Sequence, residues 1–178
     1  MLQDTHLEAP GRDADEYWDV PDESRNPTGR KHRRGDDLPP GDYHLVVRAW
    51  IVNAKGDFLI TRRALNKVGW PGFWETPSGS VTVGEESLRA AIREAKEECG
   101  LVLLPESSEL ISTYRNNSAF YDNWLFRQEY DLSDVVLQEG ETIDARAMSW
   151  SGIAAMMERG EFIGRDVFSS FDLLKDMV

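Results

Sequence analysis

One stretch constrains the fold of this chain more than any other, the 23 residues from Gly79 to Leu101. From Leu88 onward, apolar residues recur at the spacing of an amphipathic helix and predict one buried stripe, which Gly100 is expected to end. The members of that stripe are Leu88, Ala91, Ile92, Ala95 and Cys99. At about 100° per residue, three acids share a second face of the same helix. They are Glu94, Glu97 and Glu98.

The acidic face has two interpretations. A solvated helix surface is common, and Arg93 and Glu97 form an i,i+4 pair that softens the repulsion. Like charges this close otherwise need a hard divalent cation, and oxygen-only carboxylate clusters suit magnesium or manganese. The acids follow a glycine-rich loop, Glu85 at the loop-to-helix junction and Arg93, in that order. This series of residues favours a metal site over a solvated helix surface.

The same stretch is similar to the Nudix signature, Gly-x5-Glu-x7-Arg-Glu-aliphatic-x-Glu-Glu-x-Gly-aliphatic. The matching residues are Gly79, Glu85, Arg93, Glu94, Ala95, Glu97, Glu98, Gly100 and Leu101. Ala95 is smaller than the usual aliphatic residue at its position. The resemblance implies a Nudix-type α/β/α sandwich with a mixed β-sheet. It also implies metal-dependent hydrolysis of a diphosphate linkage, with Mg²⁺ as the ion and Mn²⁺ as the alternative.

The composition argues against a nucleic-acid-binding protein and against a membrane protein. A net charge of -12 argues against general affinity for nucleic acid or anionic membranes, because both polyanions would be repelled. No apolar run approaches the roughly 20 residues of a membrane helix, and residues 1–15 lack a signal-peptide core. We therefore expect a cytoplasmic protein that acts on a small molecule, with a homodimer as an open option. The single cysteine, Cys99, excludes an internal disulfide and is expected in the core.

The chain divides into three parts. Residues 1–15 predict a flexible tail, 16–41 an N-terminal β-hairpin extension, and 42–178 the Nudix domain. Within that domain we expect strands at 44–52, 57–63, 110–116, 118–132 and 145–150, and helices at 151–159 and 165–177 beside the acidic one. Hairpins alternating with three helices agree with a mixed sheet between helices. The segment Trp70–Trp74 predicts a packed aromatic loop in which the tryptophans are structural.

Two charged segments outside the signature keep two interpretations each. The basic run Arg30–Arg34 suits a phosphate clamp, but charge also protects a hairpin edge, and we favour the edge for most of it. Glu139 and Glu141 suit a solvated acidic loop. In proteins that this chain resembles, however, a glutamate shortly before the comparable strand closes the metal site. Glu141 matches that position best, with Glu139 as its backup.

These considerations give the candidate site residues and their roles. Arg93 is expected to orient the glutamates, Glu98 or Glu141 to take a proton from water, and Glu85 to join the site through water or to favour the helix start. The candidate catalytic residues are Arg93, Glu97, Glu98 and Glu141. The candidate metal-site residues are Gly79, Glu94, Glu97, Glu98 and Glu141. The candidate substrate-binding residues are Arg62, Phe120, Tyr121 and Trp124, with core packing as the competing role of the three aromatic residues.

Residues 27–74 resemble type I isopentenyl-diphosphate isomerase, which is itself built on a Nudix fold. That resemblance implies a catalytic cysteine where this chain has Ser78, and a histidine where it has Ser80. His44 matches one metal histidine of the isomerase, and His32 is the remaining candidate for the other, although a partly buried structural role competes for His44. We therefore expect a hydrolase site on an isomerase-like framework. The alternatives are an isomerase and a catalytically silent, nucleotide-binding Nudix domain.

Overall fold

The computed structural model describes residues 16–163, so the expected tail at 1–15 and the expected helix at 165–177 lie outside the described residues. The described part contains nine strands and two α-helices. In chain order these are β1 Tyr17–Pro21, β2 Pro27–Arg33, β3 His44–Val52, β4 Asp57–Arg63, β5 Trp74–Glu75, β6 Ser78–Ser80, α1 Ser87–Cys99, β7 Ser108–Asn116, β8 Ala119–Arg127, β9 Thr142–Ser149 and α2 Trp150–Glu158. Short 3-10 helices occupy Pro105–Ser107 and Leu132–Asp134.

A mixed β-sheet forms the centre of the fold, as predicted. β3 pairs with β8 in parallel along its whole length, from His44 opposite Ala119 to Val52 opposite Arg127. β6 pairs with β3 and β7 with β8, both antiparallel. β4 meets β3 beside their turn and pairs with β5 and β9. The pair of β3 and β8 joins segments that are far apart in sequence. The pairing of β6 with β3 brings β6, which precedes α1, to the middle of the sheet.

The two helices cover opposite faces of this sheet. Along β3, Val47, Ala49 and Ile51 belong to the apolar cluster that includes α1. Trp50 and Val52 belong to the cluster that includes α2. Successive side chains of a strand point to opposite faces, so a strand buried on both sides reads as a continuous apolar run. The arrangement confirms the predicted α/β/α sandwich.

Helix α1 has the predicted buried stripe and the predicted end. Ala91, Ala95 and Cys99 are fully buried, and Gly100 follows with φ 73, a left-handed conformation that glycine adopts without steric cost. Burial raises the pKa of the Cys99 thiol, and the charge of Glu98 raises it further. The thiol is therefore protonated and enclosed, as expected of a core residue.

The predicted N-terminal hairpin is present and is attached to the loop that precedes α1. β1 and β2 are antiparallel strands. The backbone N–H of Val83 donates to the carbonyl of Tyr17 over 3.0 Å. The N–H of Gly84 donates to the carboxylate of Asp19 over 2.7 Å. The hairpin thus holds in place the same loop that carries the start of the acidic stretch.

A second attachment lies on the sheet. Arg25, in the turn of the hairpin, donates two hydrogen bonds to Asp122 on β8, over 2.8 and 2.5 Å. The Asp122 carboxylate is buried and also accepts from the hydroxyls of Thr113 and Ser87. A buried carboxylate is stable when it is paired and hydrogen-bonded in this way. The guanidinium of Arg25 therefore fixes the turn of the hairpin to the sheet.

Three boundaries differ from those predicted. The strand predicted at 118–132 ends at Arg127, because its partner β3 ends at Val52, the residue opposite Arg127. β7 begins at Ser108 and β9 at Thr142, both earlier than expected, so Glu141 directly precedes its strand. Within the described residues, neither α-helix is long and apolar enough to cross a lipid bilayer.

Candidate active site

An acidic cavity of about 690 Å³ lies beside α1. The second half of α1, the loop before the helix, the segment before β9 and the end of the hairpin enclose it. Seven glutamates line it, namely Glu16, Glu85, Glu94, Glu97, Glu98, Glu139 and Glu141. Four cationic residues line it as well, namely Arg34, Arg63, Lys67 and Arg93. With Gly79 also in its wall, the cavity brings together every residue proposed for the metal site and every proposed catalytic residue.

Arg93 holds the acidic residues together. Its guanidinium donates to Glu85 over 2.9 Å, to Glu94 over 2.6 Å and to Glu97 over 3.2 Å. It also donates to the backbone carbonyl of Ser80 over 2.9 Å, which ties the helix to the glycine-containing strand. The planar guanidinium fork suits several acceptors at fixed angles. This is the orienting role expected for Arg93.

Glu85 belongs to this network and does not cap the helix. Burial raises the pKa of Glu85, but hydrogen bonds from Arg93 and from Thr82 outweigh burial and leave it below its ordinary value. The Glu85 carboxylate accepts both the N–H and the hydroxyl of Thr82. The N-cap residue of α1 is Glu86, whose side chain makes no capping hydrogen bond. Glu85 is therefore a charged anchor for Arg93.

Glu94 and Glu98 are the buried members of the acidic face. Burial raises the pKa of Glu94 to about 7, against the opposing effect of Arg93. Burial also raises the pKa of Glu98 well above its ordinary value, and repulsion from Glu75 and Glu94 adds to this. The N–H of Ser78 donates to Glu98 over 3.3 Å. Two neighbouring carboxylates with this little solvent favour a positive charge between or beside them.

Glycine at position 79 is required by the closeness of β6 to α1. A Cβ atom on Gly79 would overlap the carboxylate of Glu94, closer than any van der Waals contact. Any side chain here would displace Glu94 from the cavity wall. Since Gly79 has no side chain, its backbone carbonyl and N–H are the groups that it offers to the site.

The residues present fit a divalent cation by their chemistry. Their donors are carboxylate oxygens, which hard cations prefer, and the cavity carries an excess of glutamates over cationic side chains. Across residues 16–163, no three acidic, histidine or cysteine side chains already converge at the spacing of metal ligands. Instead, Arg93 lies among Glu85, Glu94 and Glu97, and its positive charge balances part of their negative charge. The donor set thus suits Mg²⁺ or Mn²⁺, while the side chains are arranged around arginine.

Glu141 and Glu139 occupy different positions at the mouth of the cavity. Glu141 forms an ion pair with Lys67 and is half-buried. Glu139 is exposed, and a turn at Gly140, with φ 82, separates the two. The backbone carbonyl of Glu141 accepts from the N–H of Ala64 over 2.8 Å, which fixes its position against the end of β4. Of the two acids, Glu141 is the better placed to act in the cavity.

An aromatic cavity of about 410 Å³ adjoins the acidic cavity. The two share four lining residues, Arg34, Arg63, Ser78 and Gly79. Tyr121, one of the proposed substrate-binding residues, lines the aromatic cavity. Phe120, Arg62 and Trp124 line neither cavity. Phe120 packs on Tyr43, Arg62 donates to the carbonyl of Gly72, and Trp124 donates to the hydroxyl of Ser87. Contact between these three residues and substrate stays a prediction.

Sequence reasoning missed several residues at the junction of the cavities. Glu75 is buried, accepts from Arg63 over 2.8 Å and from the Ser78 hydroxyl over 3.3 Å, and contributes to the raised pKa of Glu98. Arg34, from the basic run assigned mostly to a hairpin edge, lines both cavities. The pairing of β4 with β5, which brings Glu75 beside β4, depends on contacts outside any motif.

The aromatic loop agrees with its prediction at Trp74, which is buried at 7% exposure. Trp70 is 39% exposed, packs edge-on against Phe73 and lines the aromatic cavity, so its structural role stays a prediction. Its φ of 54 is a left-handed conformation that is uncommon for a bulky residue.

The two histidines lie apart from the acidic cavity. His44 and His32 both stack on the indole of Trp18, at centroid distances of 4.7 and 5.5 Å. His44 is buried, in agreement with its structural interpretation, and it lines the aromatic cavity. Neither imidazole lines the cavity that holds the glutamates. The two imidazoles therefore do not join the glutamates of the acidic cavity.

Comparisons with known proteins agree with this geometry. A family model described as NUDIX domain matches residues 42–170. An uncharacterized Nudix hydrolase of Listeria monocytogenes is 39% identical over 149 residues, which cover 83% of this chain and 88% of that protein. An isopentenyl-diphosphate Delta-isomerase of Escherichia coli is 37% identical over 83 residues, 46% of each chain. A crystal structure of a Deinococcus radiodurans protein superposes with a TM-score of 0.72 at 20% identity, covering 90% of this chain and 98% of that one.

Proposed function

Since the chain belongs to the NUDIX domain family and is a Nudix hydrolase, we propose that it cleaves the diphosphate linkage of a nucleoside diphosphate derivative or a similar organic diphosphate. The family supports a diphosphate-cleaving hydrolase that acts on a small molecule. Hydrolases of this family generally use divalent metal ions. We propose Mg²⁺ for this protein, with Mn²⁺ as a substitute.

One observation carries the proposal: the arginine-centred cluster of glutamates against Gly79. Arg93 fixes Glu85, Glu94 and Glu97 by direct hydrogen bonds, and Glu98 is buried directly beside them. A solvated helix face would leave Glu85 and Glu94 extended into water without such partners, whereas both are mostly buried against Arg93. Preorganised charge of this kind is the usual basis of electrostatic catalysis.

Glu94, Glu97 and Glu98, with Glu141 and the backbone of Gly79, are the groups that would hold the cation. When bound, such an ion screens the phosphate oxygens and lowers the pKa of an attacking water. Glu98 is the proposed acceptor of a proton from water, because it is buried next to Glu94 in the wall of the cavity. Arg93 keeps the carboxylates in position. Arg34, Arg63 and Lys67 also line the cavity and are the proposed source of positive charge for the phosphates of the substrate.

The first test is a hydrolysis screen that detects monophosphate products by chromatography, because cleavage of a diphosphate linkage between two organic groups yields two monophosphates and no free phosphate. Purified protein is incubated with a panel of organic diphosphates in Mg²⁺, in Mn²⁺ and in chelator. We expect cleavage of at least one nucleoside diphosphate derivative with either ion, and a fall to background in chelator that added Mg²⁺ reverses. Equal activity with and without chelator would contradict the proposed metal dependence. No cleavage of any member of the panel would contradict the proposed reaction.

A second test separates the two acids before β9. We expect Glu141→Gln to lower kcat about 10²-fold, because Glu141 is half-buried in the cavity, is held by Lys67 and is a proposed ligand or base. The matched variant Glu139→Gln is expected to change kcat less than about threefold, since its side chain is exposed at the mouth of the cavity. The reverse order of effects would transfer the role to Glu139. The metal concentration for half-maximal rate, measured for both variants, distinguishes a ligand from a base.

Similarity to the isomerase over 46% of the chain favours a second candidate function, isomerisation of isopentenyl diphosphate. The residue that corresponds to the catalytic cysteine of the isomerase is Ser78, whose hydroxyl donates to Glu75 over 3.3 Å. A serine hydroxyl is a poor proton shuttle to carbon because its pKa is far above that of a thiol. Incubation with isopentenyl diphosphate and Mg²⁺ decides between the two. Isomer formed without released phosphate would favour the isomerase.

A further inference from the structure

The aromatic cavity is joined to the acidic cavity at one place. Arg34, Arg63, Ser78 and Gly79 border both. Arg34 is placed between them by the hairpin and pairs with Glu16 over 2.5 Å. Burial lowers the pKa of Arg34, while the charges of Glu94 and Glu141 act in the opposite direction. A molecule with an anionic part in the acidic cavity would therefore pass these two arginines and extend its remainder into the aromatic cavity.

Aromatic residues line this second cavity, and of these Trp70 has the most exposed ring. Trp18 and Tyr121 line it from the hairpin and from β8, and Trp70 lines it from the loop before β5. Trp70 is held at φ 54, a conformation that is uncommon for a bulky residue. Such backbone strain persists where the surroundings enforce it, often at ligand sites. The Trp70 indole packs edge-on against Phe73, with ring centroids 5.0 Å apart, and keeps 39% of its surface exposed.

Polar groups lie among these rings, so the cavity does not suit a plain hydrocarbon chain. The guanidinium of Arg48 lies over the ring of Tyr121 at 4.8 Å and donates to the hydroxyl of Tyr114 over 2.7 Å. The rim of the cavity carries Asp36, Asp37, Asn116 and Asn117. An alkyl group would remove water from these polar groups without replacing its hydrogen bonds. A heteroaromatic base with a sugar offers a stacking face and hydrogen-bonding edges together.

We propose that the aromatic cavity binds the nucleoside portion of the substrate, with the base stacked on Trp70 and the adjoining phosphate held between Arg34 and Arg63. This assignment deepens the proposed function and rests on it for the chemistry of the substrate. The hairpin and the loop before β5 then determine which organic group is accepted. The glutamates of α1 act on the linkage itself.

The test measures binding of compounds that have no diphosphate bond to cleave. Calorimetric titrations of the full chain use adenosine, guanosine, cytidine and uridine monophosphates, with inorganic phosphate and isopentenyl monophosphate as comparison ligands. We expect at least one nucleoside monophosphate to bind at least 10-fold more tightly than both comparison ligands. Trp70→Leu is expected to weaken that nucleotide about 10-fold, because stacking is lost. Trp70→Phe, which keeps an aromatic face, is expected to restore most of the affinity.

Two further variants sharpen the result. Val68→Ala changes an exposed residue of the same loop that lines neither cavity, and it is expected to bind like the wild type. Arg34→Gln is expected to weaken the nucleotide and inorganic phosphate by the same factor, whereas Trp70→Leu weakens the nucleotide alone.

The proposal is overturned if no nucleoside monophosphate outbinds both comparison ligands, or if Trp70→Leu binds as tightly as the wild type. These results are separable from the hydrolase test. Nucleotide binding without cleavage of any diphosphate would support the nucleoside site and contradict the hydrolase. Diphosphate cleavage that is indifferent to the organic group and to Trp70 would support the hydrolase and contradict the nucleoside site.

Discussion

Glu98→Gln is expected to lower the rate of diphosphate hydrolysis on the order of 10³-fold, within the range for loss of a general base. Glu98 is buried beside Glu75 and Glu94 and is the proposed acceptor of the proton from water. Glutamine has nearly the same shape and retains an oxygen for the N–H of Ser78, so the fold should be kept. Single-turnover kinetics at saturating Mg²⁺ measure the effect.

Thermal unfolding of Glu98→Gln distinguishes the loss of a catalytic group from the loss of the folded state. Glutamine carries no charge, so it avoids the cost of burying a carboxylate beside two others. We therefore expect a Tm in chelator that equals or exceeds that of the wild type, together with a smaller rise in Tm when Mg²⁺ is added. Glu86→Gln, at the exposed start of α1, is the matched control and should change neither quantity. Turnover above a tenth of the wild-type rate would contradict a catalytic role for Glu98. A wild-type protein without activity would instead fit a silent nucleotide-binding domain.

Gly79→Ala is expected to lower kcat about 10²-fold while the protein remains folded. The added Cβ would overlap the carboxylate of Glu94, which is the end of a flexible side chain and can move aside. Moving it breaks the 2.6 Å hydrogen bond to Arg93 and takes the carboxylate from its place in the cavity. Displacements of about 1 Å in a catalytic arrangement are sufficient for an effect of this size.

A double-mutant cycle identifies the cause of that loss. If Gly79→Ala acts by displacing Glu94, it should add little to the loss already produced by Glu94→Ala. Circular dichroism and thermal unfolding of the single variant establish that it is folded. Full additivity of the two losses would show that Gly79 acts through another group, and a wild-type rate in Gly79→Ala would show that the closeness of β6 to α1 has no catalytic importance.

The elements that the sequence predicts well depend on local patterns. Helix α1 is recognisable from the apolar stripe that ends at Cys99 and from Gly100, since both are set by helical spacing and by the conformation of glycine. β3 and β4 are recognisable because β-branched runs flank a turn at Asn53, whose side chain accepts from the backbone N–H groups of Lys55 and Asp57. The acids of α1 converge for the same local reason.

The rest of the site depends on contacts between distant segments. Glu75 reaches Arg63 because β5 pairs with β4, and Arg34 reaches the cavities because the hairpin is bound to the loop at Val83. Nothing in the spacing of these residues encodes such pairings. The exposure of Trp70 goes with a left-handed backbone conformation that local spacing does not predict. The cavity residues that sequence reasoning missed are thus those placed by tertiary structure.

The ion pair between Arg25 and Asp122 has a consequence for where this protein can be divided. The family model begins at residue 42, downstream of the arginine that neutralises a carboxylate with 1% of its side chain exposed. Removing one partner of such a pair costs roughly 3–5 kcal/mol, a large part of the net stability of a domain. The segment before residue 42 therefore provides the positive charge that pairs with a carboxylate inside the sheet. A fragment that begins at residue 42 would lose stability and also the hairpin residues that line both cavities.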